Sequence, residues 1–246
     1  MHRFYVQKEQ IKDNAVQISG SDVNHIKNVL RLGIGDKIEV FDSAQNVYEV
    51  ELTNNSRELI RGNIISKQTS NIESAIKVTL AQCLPKGKKM DLIIRMATEL
   101  GVYSVIPVIS ERSIPKIEDK EDKKIEHWQK TAKEASEQSG RSVVPEVAPL
   151  TSFKELLKTA KDYSLAIMPW ESEKKISLKN VLTGSLVNGL TGLLLLTIGP
   201  EGGFSQAEAE DAEKAGIKLV SIGKRILRCE TAAIAALAQI FCQLED

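Results

Sequence analysis

Apolar and polar positions along this chain change their period near residue 74. Before it, apolar residues come in short, often alternating runs: Arg3-Phe4-Tyr5-Val6, Ala15-Val16-Gln17-Ile18, Lys37-Ile38-Glu39-Val40-Phe41, residues 47–52 and residues 58–65. Asn, Asp, Gly and Ser separate them. Alternation sends every second side chain to one face, as a half-buried strand requires, so residues 1–73 are predicted to form a small β-barrel or sandwich. One helical stripe interrupts it, with Val23, Ile26, Val29 and Leu30 at three- to four-residue spacing and Gly33-Ile34-Gly35 behind it.

From about Ser74, strand-like runs alternate with helical stripes. Residues 76–84 read as a strand, 86–100 as a helix closed by Gly101, and 102–109 as the next strand. The charged stretch 115–124 reads as a solvated loop, 124–139 as a helix, 143–147 as a strand, 152–160 as a helix, 163–168 as a strand, and 172–191 as a helix and linker. That alternation is the pattern of a parallel sheet, so residues 74–246 are predicted to form an α/β domain. The apolar run 193–198 ends in Gly199-Pro200-Glu201-Gly202-Gly203-Phe204, after which Ser205, with Glu208 three residues on, opens a helix. Residues 217–222 repeat the strand, Gly223 the turn, and Glu230-Thr231-Ala232-Ala233 the helix start. Ligands on open α/β sheets bind beyond the carboxyl ends of the strands, where glycine lets backbone N–H groups come close. Both turns are therefore expected to line one pocket.

Composition narrows the function. A chain of 246 residues that is 42% apolar can build one large or two modest cores. Its 33 basic and 33 acidic residues cancel, so it is no bulk polyelectrolyte binder, and any nucleic-acid contact falls to a local basic face. No apolar run approaches the roughly 20 residues of a membrane-spanning helix. No N-terminal hydrophobic segment with a cleavage site is present, so the cytoplasm is the expected location, with no membrane partner. Cys83, Cys229 and Cys242 lack any CxxC spacing and the three histidines stand apart, so no disulfide framework and no metal are expected. Position 38 is Ile, which breaks a dinucleotide fingerprint at Gly33 and Gly35, and Gly223-Lys224 is followed by Arg225 rather than by the hydroxyl of a P-loop.

Lys224, Arg225 and Arg228 crowd just past a strand end, a poor core and a good anion site. Lys86-Gly87-Lys88-Lys89 and Glu111-Arg112-Ser113 each follow an expected strand of the same sheet and so fall on the same edge. Cations converging with glycine turns suggest a polyanion lying over a small-molecule pocket.

These motifs, with His2-Arg3-Phe4, Val29-Leu30-Arg31-Leu32 and Gly35-Asp36, Met90-Asp91, Thr98-Glu99-Leu100-Gly101-Val102, Glu134-Ala135 and Glu137-Gln138-Ser139-Gly140-Arg141, resemble the ribosomal RNA small subunit methyltransferase E family along essentially the whole chain. Cys229 departs from the Thr expected there. The resemblance implies an α/β enzyme of the SPOUT superfamily with a trefoil knot in its C-terminal part (74–246), preceded by an RNA-binding, PUA-like β-barrel (1–73). It implies a homodimer that methylates N3 of a uridine in the decoding region of 16S ribosomal RNA, with S-adenosylmethionine as donor. Met168, Ile198, Gly199, Gly202, Gly203, Ser221, Ile222, Gly223, Ile226, Leu227, Thr231 and Ala232 are expected to hold that cofactor, and Arg3, Lys27, Arg31, Lys86, Lys88, Lys89, Arg112 and Arg141 to contact RNA. Uridine N3 must lose a proton to become a nucleophile. Arg228 or Arg225 would stabilise the resulting anion, with Glu201 as first candidate base and Glu230 as second; the alternative for Glu201 is bracing of its own loop. Competing readings are a SPOUT enzyme acting at another RNA position and a non-catalytic RNA-binding assembly factor.

Overall fold

The leucine run at 193–198 forms the middle of a parallel sheet, because a strand buried on both faces reads as continuously apolar rather than alternating. The computed structural model describes residues 1–56, 58–113, 121–183 and 192–245, in two units: Met1–Glu73 with Ser136–Val144, and Ser74–Ala135 with Pro145–Asp246. Residues 114–120 and 184–191, which hold much of the expected charged loop and of the expected linker, lie outside the described residues.

The first unit holds a six-stranded sheet of β1 (Arg3–Tyr5), β2 (Ile11–Lys12), β3 (Ala15–Ser19), β4 (Lys37–Phe41), β5 (Asn46–Asn55) and β6 (Leu59–Thr69). Its order is β1-β4-β5-β6-β3-β2, antiparallel except for the parallel β1 and β4. Alternation places Val16, Ile18, Ile38, Val40 and Val50 in one core. Helix α1 (Ser21–Asn24) runs into a π turn, His25–Val29, and lays Val23 and Ile26 on that core. Val29 was expected on the same stripe and is 63% exposed, because the wider π turn carries it off the apolar face.

Two cations expected on RNA are instead structural in this unit. Arg141 is buried and donates to Glu73 from Nη2 at 2.6 Å and Nε at 3.1 Å, while the Ser142 and Val143 N–H groups donate to the same carboxylate at 2.9 and 3.2 Å. Arg3 pairs with Glu39 at 3.0 Å and lies over the Phe41 ring at 5.1 Å, its side chain only 15% exposed. Arg141 is thus enclosed by its partners, whereas Arg3, held by Glu39 and Phe41, keeps Nε and Nη2 without a hydrogen bond to a described residue. The same bonds shorten an expected strand: the Val143 and Val144 N–H groups go to the Glu73 and Ser43 side chains, so only Glu146–Val147 of 143–147 joins a sheet.

The second unit holds seven parallel strands: β7 (Lys77–Cys83), β8 (Ser104–Ile109), β9 (Glu146–Val147), β10 (Thr151–Ser152), β11 (Leu165–Pro169), β12 (Leu193–Ile198) and β13 (Lys218–Val220). Their order is β10-β8-β7-β12-β11-β13, with β9 beside β8. Helices α2 (Lys89–Glu99), α3 (Glu121–Ser139), α4 (Phe153–Thr159), α5 (Leu178–Thr183), α6 (Gln206–Lys214) and α7 (Cys229–Leu244) complete the alternation, the last turn of α3 counting with the first unit. Helix α2 starts three residues later than expected, since Gly87 (φ +65°) turns the chain and leaves residues 86–88 as a loop. The two glycine-turn units do not place their strands side by side: β11 separates β12 from β13.

Candidate functional site

A cavity of about 420 Å³ opens at the carboxyl ends of β11, β12 and β13, within the range of small-ligand sites. Residues 169–171, 198–204 and 221–229 form its walls, with Lys89, Lys174 and Ala232. Steric room dictates its glycines. A Cβ on Gly199 would stand 3.1 Å from the Phe204 ring, and one on Gly202 would stand 3.2 Å from the Arg112 side chain. Gly203 has φ +64°, and a Cβ there would meet the Glu171 carboxylate at 2.9 Å. Helix α6 starts as expected, with Ser205 Oγ accepting the Glu208 N–H and Glu208 accepting the Ser205 N–H, and this box also anchors the next loop through Glu111.

The third wall is strapped at its start and free beyond it. The Ser221 N–H donates to the Ile176 carbonyl at 2.8 Å, and the Leu178 N–H to the Ser221 carbonyl at 2.9 Å. Past that strap the N–H groups of Ile222, Lys224, Arg225, Ile226 and Leu227 donate to no acceptor among the described residues. Ile226, an apolar side chain 85% exposed, stands over the same cavity. Open backbone donors and an uncovered apolar residue together suit a flat heteroaromatic ligand with polar edges.

Ten of the twelve residues expected to hold the cofactor line this cavity: Ile198, Gly199, Gly202, Gly203, Ser221, Ile222, Gly223, Ile226, Leu227 and Ala232. Met168 does not. It is fully buried in β11 among Ala166, Leu195 and Phe204, because strand alternation turns it into the core, and Pro169, Trp170 and Glu171 after it form the wall instead. Thr231 points to solvent on the first turn of α7 and lies outside the lining. Residues 169–171 were legible only as the end of an expected strand on the right edge.

The carboxylates are braced rather than free. Lys89 Nζ lies 2.9 Å from Glu201 and 3.3 Å from Glu230, and the Lys86 N–H donates to both Glu201 oxygens at 3.1 and 3.2 Å. Burial raises the Glu201 pKa, but hydrogen bonds from Lys89, from its own N–H and from the Lys86 N–H outweigh it, and the group ends below its ordinary value. Burial opposes the same outcome at Glu230, where its own N–H, the Cys229 thiol and Lys89 prevail. A carboxylate with a lowered pKa is a weaker base. Glu201, expected first as a base, is thus a strap between two loops; the strap is complete above the ordinary carboxylate range and is lost as pH falls through the lowered value. Lys89, expected on RNA, is the other half of that strap.

Cys229 donates its thiol to Glu230 at 3.1 Å, and burial, then Glu230 and Glu201, push its pKa up to about 12. Burial, opposed by a hydrogen bond with Ser110 and aided by the Glu208 charge, drives the Cys83 thiol up as well. A short iodoacetamide treatment at pH 8 should therefore label the exposed Cys242 and spare the other two, giving a single adduct in the intact mass.

The remaining cations differ in their freedom. Lys224, Arg225 and Arg228 are exposed on the cavity rim, in no ion pair with a described residue. Lys88 is likewise exposed, whereas Arg112 donates to the Gly202 carbonyl at 2.8 Å and so helps hold the glycine turn. Lys27 and Arg31 belong to the first unit, Lys27 donating to the Asn55 carbonyl at 3.3 Å and Arg31 exposed at φ +57°.

Residues 72–241 match the family model described as an RNA methyltransferase domain, and residues 18–65 that described as an RNA methyltransferase PUA domain. The protein is therefore α/β with a parallel sheet and a PUA-like N-terminal domain. The chain is 38% identical over 252 residues to the ribosomal RNA small subunit methyltransferase E of Bacillus subtilis (strain 168), covering 100% of this chain and 98% of that relative. A ribosomal RNA small subunit methyltransferase E from Neisseria gonorrhoeae, solved bound to S-adenosyl methionine, is 32% identical with a TM-score of 0.87, covering 98% of this chain and 97% of its own. A Legionella pneumophila structure in complex with bound SAM is 29% identical with a TM-score of 0.88, covering 98% and 96%.

Proposed function

The chain belongs to the ribosomal RNA small subunit methyltransferase E family, and from that membership we propose that it transfers a methyl group from S-adenosylmethionine to N3 of a uridine in the decoding region of 16S ribosomal RNA. One observation carries the reading: a cavity walled by glycine turns and open backbone donors lies under a rim of unpaired cations, Lys224, Arg225 and Arg228. Bound there, S-adenosylmethionine supplies a methyl group on a positively charged sulfur that leaves readily to a nucleophile. Residues 199–203 and 221–227 hold its adenosine, and Trp170, Ile226 and Leu227 exclude water from it.

Arg225 and Arg228 bear the chemical burden of the uridine. Its N3 carries a proton at neutral pH, and negative charge spreads over the ring as that proton leaves. Positioned donors at such a developing charge contribute about 10²- to 10³-fold each. Neither depressed carboxylate serves well as proton acceptor, so the N3 proton passes to solvent water, and stabilisation of the resulting anion by the two arginines, rather than a strong base, drives the step. N3 also lies within the pairing edge, so the base must leave its stack to reach the cavity.

In this reading residues 1–73 bind RNA and residues 74–246 carry the reaction, in a cytoplasmic homodimer. The trefoil knot is supported by the strap of Ser221 to residues 176–178 and by the packing of α7 on α2 and α5 after β13 has been laid at the far edge. Lys27, Arg31, Lys86, Lys88 and Arg112 contact phosphates. Affinity for small-subunit RNA should then fall steeply between 50 and 200 mM salt, by roughly 10-fold or more for a few phosphate contacts, and a flat response would remove these contacts.

Gly203→Ala should weaken cofactor uptake by tenfold or more, since a left-handed alanine costs about 1–2 kcal/mol and its methyl group displaces Glu171; calorimetry reads it directly. The reaction itself is tested by mass-spectrometric mapping of small-subunit RNA treated with the protein and methyl-labelled S-adenosylmethionine. A label on uridine N3 is expected; a label on ribose, or none, would overturn the assignment.

A further inference from the structure

Of the two carboxylates that line the cavity, Glu171 is the one without a partner among the described residues. Five cations also line the cavity, and Glu201 is already held by Lys89 and the Lys86 N–H. Glu171 makes no hydrogen bond or ion pair with any described residue, although Lys174 lines the same cavity three residues on. Glu171 is exposed, and both its oxygens lie 2.9 Å from where a Cβ on Gly203 would stand, so glycine at 203 leaves room for the carboxylate at the cavity wall. The Gly203 N–H does not neutralise it, because that donor goes to the Pro200 carbonyl at 3.0 Å. The backbone before it is anchored, the Trp170 N–H donating to the Val220 carbonyl at 3.0 Å and the Trp170 carbonyl accepting the Glu173 N–H at 3.2 Å.

A cation entering a cavity with excess positive charge is repelled unless an unengaged anion meets it, and the attraction grows as water is excluded. S-adenosylmethionine carries two such groups, a sulfonium and an α-ammonium. We propose that Glu171, seated against Gly203, is the specificity-determining counter-charge for the cationic part of the cofactor. It separates charged adenosyl ligands from uncharged ones in the same cavity. The assignment rests on the cofactor reading above.

Glu171→Gln keeps the shape and removes the charge. Titration calorimetry of wild type and variant would use three ligands: S-adenosylmethionine, S-adenosylhomocysteine, which keeps the ammonium and loses the sulfonium, and 5′-methylthioadenosine, which has neither. The variant should bind S-adenosylmethionine about tenfold more weakly and methylthioadenosine as before. Equal loss for the first two assigns the ammonium, and loss for S-adenosylmethionine alone assigns the sulfonium. The proposal is overturned if methylthioadenosine loses as much as S-adenosylmethionine, or if S-adenosylmethionine loses nothing. A wild-type protein that takes up no S-adenosylmethionine overturns the cofactor reading instead, which keeps the two failures apart. An unchanged melting temperature checks that the variant is folded.

Discussion

Glu73→Ala should destabilise the first unit by about 3–5 kcal/mol, the cost of leaving a buried charge without its partner. The residue accepts from the Arg141 guanidinium, from the Ser142 and Val143 N–H groups and from Ser142 Oγ, and the two side chains of the pair are only 7% and 10% exposed. Its loss takes the carboxylate from the guanidinium and from two backbone donors together, in a place with little access to water. Glu73→Gln keeps an acceptor and should cost less, whereas an apolar double replacement of Glu73 and Arg141 should recover much of the loss, since a buried ion pair is often no better than well-packed hydrocarbon. Urea unfolding followed by a probe confined to residues 1–73 separates these cases. An Ala variant within about 1 kcal/mol of wild type would show the pair to be solvated in solution.

Arg225→Ala and Arg228→Ala should each lower single-turnover methylation of small-subunit RNA by about 10²- to 10³-fold, with cofactor affinity nearly unchanged. Both side chains are exposed on the rim and neither is tied to a carboxylate, so removal should not disturb the Lys89, Glu201 and Glu230 brace. If both bear on one developing charge, the double variant will lose less than the product of the single losses. Equal loss of cofactor affinity and turnover would instead make these residues part of the cofactor wall. Glu201→Gln offers the contrast: it weakens a strap rather than removing a base, so turnover should fall only modestly above the ordinary carboxylate range, and the deficit relative to wild type should close as pH falls through the lowered value and the wild-type strap is lost as well.

Periodicity alone determined the parallel α/β character beyond residue 74 and both glycine turns, because a doubly buried strand and an amphipathic helix each impose a local spacing on the chain, whereas nothing in the spacing marked Ser136–Val144 as belonging with the first unit. The Ser205 and Glu208 box and the glycine of residue 203 were legible for the same reason: both answer to backbone geometry within a few residues. Tertiary structure decided which charges are free. Arg3 and Arg141 read as surface cations and are held by Glu39 and Glu73; Lys89 and Glu201, far apart in the chain, are joined; Met168 turns inward while Glu171, three residues on, reaches the cavity unpaired. Strand order was equally beyond local reading, since β11 slips between two strands that follow one another in the chain. Charge has no period along a sequence, and its effect depends on partners brought near by folding, so the chemistry of this site could be placed from sequence but its electrostatics could not.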